Sequence, residues 1–437
     1  MSKFVSNKLG RFAELGKSLT KATTQLALEK VEDKVLKKKE EAKNLHRKMK
    51  AAKELVQSMG KLKGALMKVG QMLSITEDLI LPPEVSSLFT ELQRNAPAMS
   101  DADLDAVFLE SFQKRPEELF KVFDREPIAA ASIGQVHRAV LPSGDEVAVK
   151  VQYPEIVTAI KNDFDNLDNL KKFVTLLFPK APNIDSYLKE LKRSLAEECD
   201  YEMERKWLET FGEMAGERFP FIGIPKCYGD FSSQTVLTME YMHGVSFSET
   251  LHYDQETKDR LGQNLYDFHN FCFYEARMLH TDPQYGNYLF QKDKIIILDF
   301  GSVRTFSREF VCDYIRLLES VEKRDLGEYK KCLLQFGFFG EDDPPALFEE
   351  HLEMVHELLM PYLREGKNSV PQSNPMEMVK GFVDKIDLRG RKSPNEEFLL
   401  LDRAHLGLYT KIKAWRSCID WTSSMKKYWH DLPESLE

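Results

Sequence analysis

The chain has 437 residues, of which 42% are apolar and 30% are charged, and its formal net charge is −9. This length allows two or three domain-sized units with a sizeable buried core, and the acidic balance argues against general nucleic-acid binding. The six cysteines are scattered without a Cys-x-x-Cys pair, which predicts free thiols and argues against a disulfide framework or a zinc site.

Membrane-spanning and secretory segments are not predicted. No apolar run approaches the 18 or more residues of a spanning helix, and no signal-peptide core is visible. The sequence therefore predicts a water-soluble protein whose contact with a membrane, where it occurs, is peripheral.

Residues 1–60 differ from the rest of the chain in charge. They contain 15 Lys and Arg against 7 Asp and Glu, whereas the remainder is acidic. Apolar residues such as Phe4, Leu9 and Phe12 recur at near-helical spacing with lysines between them, which predicts a weakly amphipathic basic helix over residues 2–27. Three interpretations stay open: a helix on an anionic membrane surface, a solvated helix packed on its own domain, and an organellar targeting peptide.

The periodicity then changes several times along the chain. The predicted elements are, in order, a helical block at about 60–120, a β-hairpin at 136–151 preceded by a small-residue loop, helix at 155–215, a strand pair at 224–242, helix at 250–280, and helix from Gly301 almost to the end. Strands grouped early and helices grouped late predict an α+β fold with a small mixed lobe followed by a helical lobe.

Three motifs occur in the same order as in protein kinases, where they carry out phosphoryl transfer from ATP. Val147-Ala148-Val149-Lys150 ends in a lysine on a predicted strand, as the phosphate-binding lysine of protein kinases does. His280-Thr281-Asp282 is followed five residues later by Asn287, and Asp299-Phe300-Gly301 begins 17 residues after Asp282. Order, spacing and secondary-structure context together predict a kinase-like ATP site, with His280 as a packing residue.

The phosphate-covering loop departs from the protein-kinase pattern. Gly134-Gln135-Val136 matches the end of the glycine loop, and Val136 lies 14 residues before Lys150. Alanines stand where the first two glycines belong, in the string Ala129-Ala130-Ala131-Ser132. Because alanine avoids positive φ, this loop is stiffer and its amides approach the phosphates differently; we expect nucleotide binding to survive without the transfer geometry of protein kinases.

The segment after Asp299-Phe300-Gly301 departs as well. Ser307 is predicted to cap a helix only about five residues after Gly301, and no Ala-Pro-Glu follows. Thr281 stands in place of the arginine that binds a phosphorylated activation loop in many protein kinases. The sequence thus predicts neither a peptide platform nor that switch.

These departures from the protein-kinase pattern, taken together with three sequence strings, resemble the UbiB family of atypical kinase-like proteins. The family is also called the aarF-domain or ADCK family. The strings are Lys68-Val69-Gly70-Gln71, the alanine-rich loop, and Glu198-Cys199-Asp200, and the resemblance spans roughly residues 60–340. The string "FLLLDRAHLGLY" near 398–409 also looks similar to the family.

The resemblance implies roles for particular residues. Lys150 contacts the ATP phosphates and pairs with Glu204, whereas the usual protein-kinase spacing would point to Asp165 or Asp168 instead. Asp282 orients an acceptor hydroxyl or water. Asn287 and Asp299 bind magnesium, and Glu240 and Met242 form the hinge. Nucleotide contact is made by the loop residues Ala129, Ala130, Ala131, Ser132, Gly134 and Val136. A covered cleft is formed by Lys68, Gln71, Glu198 and Asp200.

The resemblance also implies a division of the chain into five parts. These are a basic amphipathic extension at 1–60, a K-x-G-Q extension at 61–125 that covers the active site, a kinase-like N-lobe at 126–243 with a helical insertion at 155–215, a C-lobe at 244–345, and a C-terminal helical region at 346–437.

The expected function is that of an ATP-binding, Mg²⁺-dependent atypical kinase or ATPase that supports the synthesis of ubiquinone or another isoprenoid quinone lipid. A true protein kinase and a non-catalytic, nucleotide-sensing scaffold are the alternatives. The expected partners are a nucleotide and, beyond it, a lipid or quinone intermediate and a membrane surface, with no nucleic acid. The compartment stays open between cytoplasm, with peripheral membrane contact, and mitochondrion, and the sequence predicts no oligomeric state.

Overall fold

The computed structural model describes residues 99–130, 133–154, 193, 196–282, 284–370, 382 and 395–429. The chain divides into two compact units, of which the first comprises Met1–Arg205 and Cys227–Tyr241 and the second Lys206–Lys226 and Met242–Glu437. The basic helix expected at 2–27, the string Lys68-Val69-Gly70-Gln71 and most of the insertion at 155–215 lie outside the described residues. The five-part division stays a prediction.

Short strands occur in both units. In chain order they are β1 (Val122–Phe123), β2 (Ala129–Ala130), β3 (Gly134–Val140), β4 (Glu146–Gln152), β5 (Ile222–Gly223), β6 (Val236–Glu240), β7 (Met278–His280), β8 (Tyr288–Phe290), β9 (Ile295–Ile297), β10 (Val303–Thr305), β11 (Lys367–Ser369) and β12 (Cys418–Asp420).

Helices account for most of the second unit. The α-helices with given bounds are α1 (Asp101–Phe112), α2 (Pro116–Leu119), α3 (Tyr201–Ala215), α4 (Phe247–Thr250), α5 (Gln255–Asn270), α6 (Arg308–Lys323), α7 (Leu326–Phe336), α8 (Pro345–Leu363), α9 (Glu396–Trp415) and α10 (Trp421–Lys426). None of the helices in the described part of the chain is long and apolar enough to cross a bilayer.

The first unit is built on an antiparallel sheet of order β1-β3-β4-β6, with β2 paired to β3. The hairpin β3–β4 has the register Gly134 opposite Gln152 through Val140 opposite Glu146, which confirms the predicted hairpin. Alternate valines of β4 are fully buried, as period-2 patterning requires. A Cβ at Gly134 would lie 2.2 Å from the Val151 carbonyl oxygen, so only glycine allows the two strands to approach this closely.

Helix α1 provides the other side of this core. Ser100 caps it by accepting a hydrogen bond from the Asp103 N–H at 3.2 Å. Its buried Phe108 packs edge-on against Phe123 of β1, with ring centroids 5.5 Å apart, and belongs to one cluster with the buried valines of the sheet. This packing fixes the sheet from which Lys150 projects.

Two small sheets organise the second unit. The order β5-β9-β8 combines a parallel β5–β9 pair with an antiparallel β8–β9 hairpin. Strands β7 and β10 form the second sheet, with Met278 opposite Thr305 and His280 opposite Val303. The strands therefore hold the segments on either side of Asp282 and Asp299 at fixed register.

The C-terminal residues are part of the same core. Trp415 at the end of α9 is fully buried, and its indole N–H donates to Thr250 Oγ1 at 2.7 Å. A Cβ at Gly262 in α5 would lie 2.8 Å from Ser417, so α5 and this segment are in close contact. Trp415, Trp421 and Trp429 are all buried core residues.

Other predictions in the second half of the chain need correction. The helix expected at 250–280 ends at Asn270, since a π-helical turn at Phe271–Glu275 and a left-handed Arg277 (φ 54°) turn the chain into β7. Ser307 does cap α6 as predicted, but the strand β10 precedes it.

The strand pair expected at 224–242 is a single strand, β6. Cys227 makes only an isolated bridge to Met239, because the turn-forming Gly229-Asp230 continues into a 3₁₀ turn, Gly229–Phe231.

Candidate functional site

A buried ion pair lies at the centre of the first unit. Lys150 Nζ donates to Glu204 Oε1 at 2.6 Å, and the two side chains are 8% and 2% exposed. Strand β4 holds Lys150 between β3 and β6, opposite Val136 and Leu237, and α3 presents Glu204 in its first turn. The ammonium also lies 5.3 Å from the centre of the Tyr201 ring. The structure thus brings together the lysine and the carboxylate that the resemblance pairs.

The segment Glu198-Cys199-Asp200 is fixed against the same strand. Gln152, two residues after Lys150, donates through Nε2 to the Cys199 carbonyl at 3.0 Å. Asp200 Oδ1 accepts a hydrogen bond from the Met203 N–H at 3.1 Å at the start of α3, and Glu198 is buried. The E-x-D segment is therefore positioned by the β4 strand that carries Lys150.

The alanine-rich loop begins as a strand. Ala129 and Ala130 are exposed and pair with Val136 and Gln135 of β3, whereas Ala131 and Ser132 lie outside the described residues, as do Lys68 and Gln71. At the predicted hinge, Glu240 pairs with Val147 at the end of the sheet. Met242 is the first residue of the segment Met242–Glu437 in the second unit.

In the second unit, the loop after β7 carries Asp282 and Asn287. Asp282 is buried, and its Oδ1 is 3.4 Å from the Gln284 N–H. Asn287 ends a single 3₁₀ turn, and its Nδ2 is buried without a hydrogen-bond partner among the described residues. An unsatisfied buried amide is costly unless a ligand completes its hydrogen bonds or coordination.

A backbone hydrogen bond holds the segment before Asp299 against this loop. The Leu298 N–H donates to the Asn287 carbonyl at 2.9 Å, so the residue before Asp299 is held against Asn287. The Asp299 carboxylate accepts the Gly301 N–H at 2.9 Å, which orients it. Phe300 is fully buried between Phe211 and His280, at centroid distances of 4.6 and 5.5 Å, and the latter contact agrees with the expected packing role of His280.

These residues fit magnesium and a nucleotide. Mg²⁺ prefers oxygen ligands and is usually held by one or two carboxylates together with the substrate phosphates. The oriented Asp299 carboxylate supplies such an oxygen, and the Asn287 amide can present its oxygen by rotating its terminal group. Within the described ranges, no group of three or more His, Cys, Asp or Glu side chains could hold a metal.

Two cations contact the Asp282–Tyr288 loop, and the sequence analysis assigned neither a role. Arg403 of α9 lies with Nη2 3.9 Å from Asp282 Oδ1, and Lys411 of the same helix lies over the Tyr288 ring at 4.4 Å. Burial and the Asp282 carboxylate raise the pKa of Tyr288. More than a hundred residues separate Arg403 from Asp282, so no local pattern predicts their contact. The family-like string at 398–409, which includes Arg403, was the one sequence feature that pointed to this helix.

The sequence profile of the ABC1 atypical kinase-like domain matches residues 91–333, more than half of the chain. The chain belongs to this family, also called the UbiB family. The kinase-like α+β fold expected from the resemblance is therefore confirmed.

Among the relatives are three proteins named mitochondrial atypical kinases. COQ8 of Schizosaccharomyces pombe is 31% identical over 388 residues, which cover 86% of this chain and 63% of the relative. COQ8B of Danio rerio is 30% identical, with 84% and 59% covered, and COQ8 of Saccharomyces cerevisiae is 30% identical, with 81% and 71% covered. The chain thus spans about three fifths of the length of the first two.

A solved structure has a similar fold. It is the complex of Rv3197 with erythromycin from Mycobacterium tuberculosis, which aligns with a TM-score of 0.58 over 90% of this chain and 98% of its own. At 24% identity, the similarity concerns the fold alone.

Proposed function

We propose that the protein is an Mg²⁺-dependent atypical kinase or ATPase that supports the synthesis of ubiquinone or another isoprenoid quinone lipid. The observation that carries the catalytic part is the buried Lys150–Glu204 pair. The quinone part rests on family membership and on relatives named COQ8. Because those relatives are named mitochondrial, a mitochondrial location is the one to test first.

In this proposal each residue has a defined task. Glu204 holds the Lys150 ammonium extended so that it can bind phosphate oxygens as a point charge. Asn287 and Asp299 would supply oxygen ligands to a magnesium ion, which would contribute positive charge beside the phosphates. Asp282 orients the attacking hydroxyl or water.

The remaining residues of the expected site are proposed to shape it. The alanine-rich strand and loop from Ala129 to Val136 cover the phosphates, and Glu240 and Met242 bind adenine through the backbone. Lys68, Gln71, Glu198 and Asp200 close the cleft to a peptide. This last role favours a small acceptor, either water or the head group of a lipid intermediate.

The segment after Asp299 supports a small acceptor too. Only Ser302 to Phe306 separate Gly301 from the Ser307 cap of α6, and β10 occupies most of that stretch. Protein kinases use a much longer segment here as the platform for a peptide. A small-molecule kinase or ATPase is therefore favoured over a protein kinase.

The test is Mg²⁺-dependent ADP release by the purified chain, with and without vesicles of anionic lipid, beside Asp299→Asn. We expect turnover that requires Mg²⁺, disappears in the variant and rises with anionic vesicles. Nucleotide binding is measured in parallel by a thermal shift. Binding without ADP release under every condition would refute the enzymatic proposal and favour a nucleotide-sensing scaffold, whereas transfer of phosphate to a protein would favour a protein kinase.

A further inference from the structure

Helix α9 brings two basic side chains to the loop that begins at Asp282. Arg403 and Lys411 are eight positions apart in α9, a little over two helical turns, so their side chains leave the helix about 80° apart around its axis. Arg403 contacts the Asp282 end of the loop and Lys411 contacts the end that includes Tyr288. The two contacts bracket Asn287.

Among the described residues, Asp282 is the acidic residue that forms an ion pair with Arg403 within 4 Å. The Arg403 side chain is 12% exposed, and its Nε, Nη1 and Nη2 atoms are buried without a hydrogen-bond partner in the described part of the chain. Arginine keeps its charge in proteins, and a buried charge without compensation costs several kcal/mol. Asp282, at 3.9 Å, supplies the opposite charge.

The residue before Asp282 differs from that of protein kinases. In their H-R-D motif an arginine precedes the catalytic aspartate, but here that position is Thr281, which is fully buried and linked to Ser302 by its hydroxyl at 3.0 Å. The cation beside Asp282 instead comes from α9. Its position depends on tertiary packing and not on the loop itself.

Lys411 contacts the other end of the loop through aromatic rings. Its side chain is almost fully buried, and Nζ donates to the Gly407 carbonyl at 3.2 Å. The ammonium lies 4.4 Å from the Tyr288 ring centre and 5.2 Å from that of Tyr285. A cation over an aromatic ring face is attracted by the ring's quadrupole, so the rings on both sides of Asn287 contact α9.

The helix itself is firmly placed in the second unit. Trp415 at its end packs edge-on against Phe290 of β8, at 5.4 Å between centroids, and donates to Thr250. The strand that follows the loop and the helix that contacts the loop therefore share one packed core. A change at Arg403 or Lys411 acts on the loop without an intervening mobile element.

We propose that Arg403 and Lys411 are positioning residues that hold Asp282 and Asn287 in the arrangement needed for phosphoryl transfer. The proposal rests on the proposed function for its catalytic meaning, but the positioning itself can be measured without turnover. Both positioning residues lie outside the region that matches the ABC1 domain profile, which ends at residue 333.

The first experiment compares Lys411→Met with Lys413→Met, the same change two residues along the same helix. The readouts are kcat for ADP formation at saturating Mg·ATP, the melting temperature, and hydrogen exchange of the peptide covering 280–290. For Lys411→Met we expect kcat to fall about tenfold, faster exchange in that peptide alone, and an unchanged or higher melting temperature, because an apolar chain replaces a desolvated charge. Lys413→Met should change none of these.

A second experiment tests the contact of Arg403 with Asp282. Arg403→Met is combined with Asp282→Asn in a double-mutant cycle, with exchange of the same peptide as readout. We expect Arg403→Met to speed exchange in the wild-type background and to have little effect once Asp282 is neutral.

Each outcome decides between the proposals. Unchanged exchange at 280–290 in Lys411→Met, or equal effects of Arg403→Met in both backgrounds, would overturn the positioning role. A kcat loss accompanied by a lower melting temperature and faster exchange across α5 would overturn it in favour of a general structural role. Absence of ADP formation by the wild type would refute the proposed function alone, since exchange still decides the positioning role.

Discussion

Replacing Glu204 by Gln leaves the Lys150 ammonium buried without its carboxylate. The pair is joined at 2.6 Å, with side chains 8% and 2% exposed, so water cannot replace the lost partner without opening the structure. Removing one member of such a buried pair costs about 3–5 kcal/mol, largely because the other charge is left buried without compensation. We therefore expect Glu204→Gln to lower the free energy of unfolding by about 3–5 kcal/mol, and Lys150→Met/Glu204→Gln to regain part of that loss, since no charge is then left buried.

The assay is urea unfolding of the wild type, both single variants and the double variant, analysed as a double-mutant cycle. ADP release is measured on the same four proteins. If the pair also serves phosphate binding, the double variant recovers stability but not turnover, because the phosphate-binding charge is absent. Additive effects on stability would refute the argued coupling, and turnover in the double variant would refute the role of Lys150.

Three further predictions concern packing and titration. Gly134→Ala places a Cβ 2.2 Å from a strand carbonyl oxygen and should cost about 1–3 kcal/mol or more in urea unfolding, whereas Gly327→Ala in a helix should be neutral or slightly stabilising. Trp415→Phe removes the donor to Thr250 Oγ1 and should cost about 1–3 kcal/mol by the same measurement; an unchanged midpoint would contradict docking of α9. Burial lowers the pKa of Lys411 to about 7, although the Asp282 charge acts in the opposite direction. Above pH 7 the unfolded chain therefore binds more protons than the folded protein, and the free energy of unfolding should rise toward pH 9. Lys411→Met should lack that rise, and equal pH profiles for both proteins would contradict it.

Local patterns allowed much of the fold to be predicted. The β3–β4 hairpin follows from alternating valines on either side of a turn, in which Gly144 adopts φ +99°. The cap of α6 follows from Ser307, which accepts the Phe310 N–H at 3.1 Å. Each of these features depends on residues close in sequence, so a pattern within a few residues suffices.

Residues far apart in sequence were harder to predict. The usual kinase spacing would have paired Lys150 with Asp165 or Asp168, because it assumes a short link, whereas the carboxylate in contact is Glu204, 54 residues away. Family resemblance, not spacing, identified it. Arg403 and Lys411 gave no local signal of their partners, since a basic residue in a helix is usually solvated and only packing reveals its burial.

The loop that begins at Asp282 is held by contacts that need no charged modification. The Thr281 N–H donates to the Ser302 carbonyl at 2.8 Å, which joins the start of the loop to the residues after Asp299. In many protein kinases an arginine at the Thr281 position couples loop geometry to a phosphate on the activation segment. Here the coupling is a buried neutral hydrogen bond, and the cation facing Asp282 is on a helix packed into the core. Neither contact includes a phosphate group, so the Asp282 loop is joined to the residues after Asp299 and to α9 without phosphorylation of an activation segment.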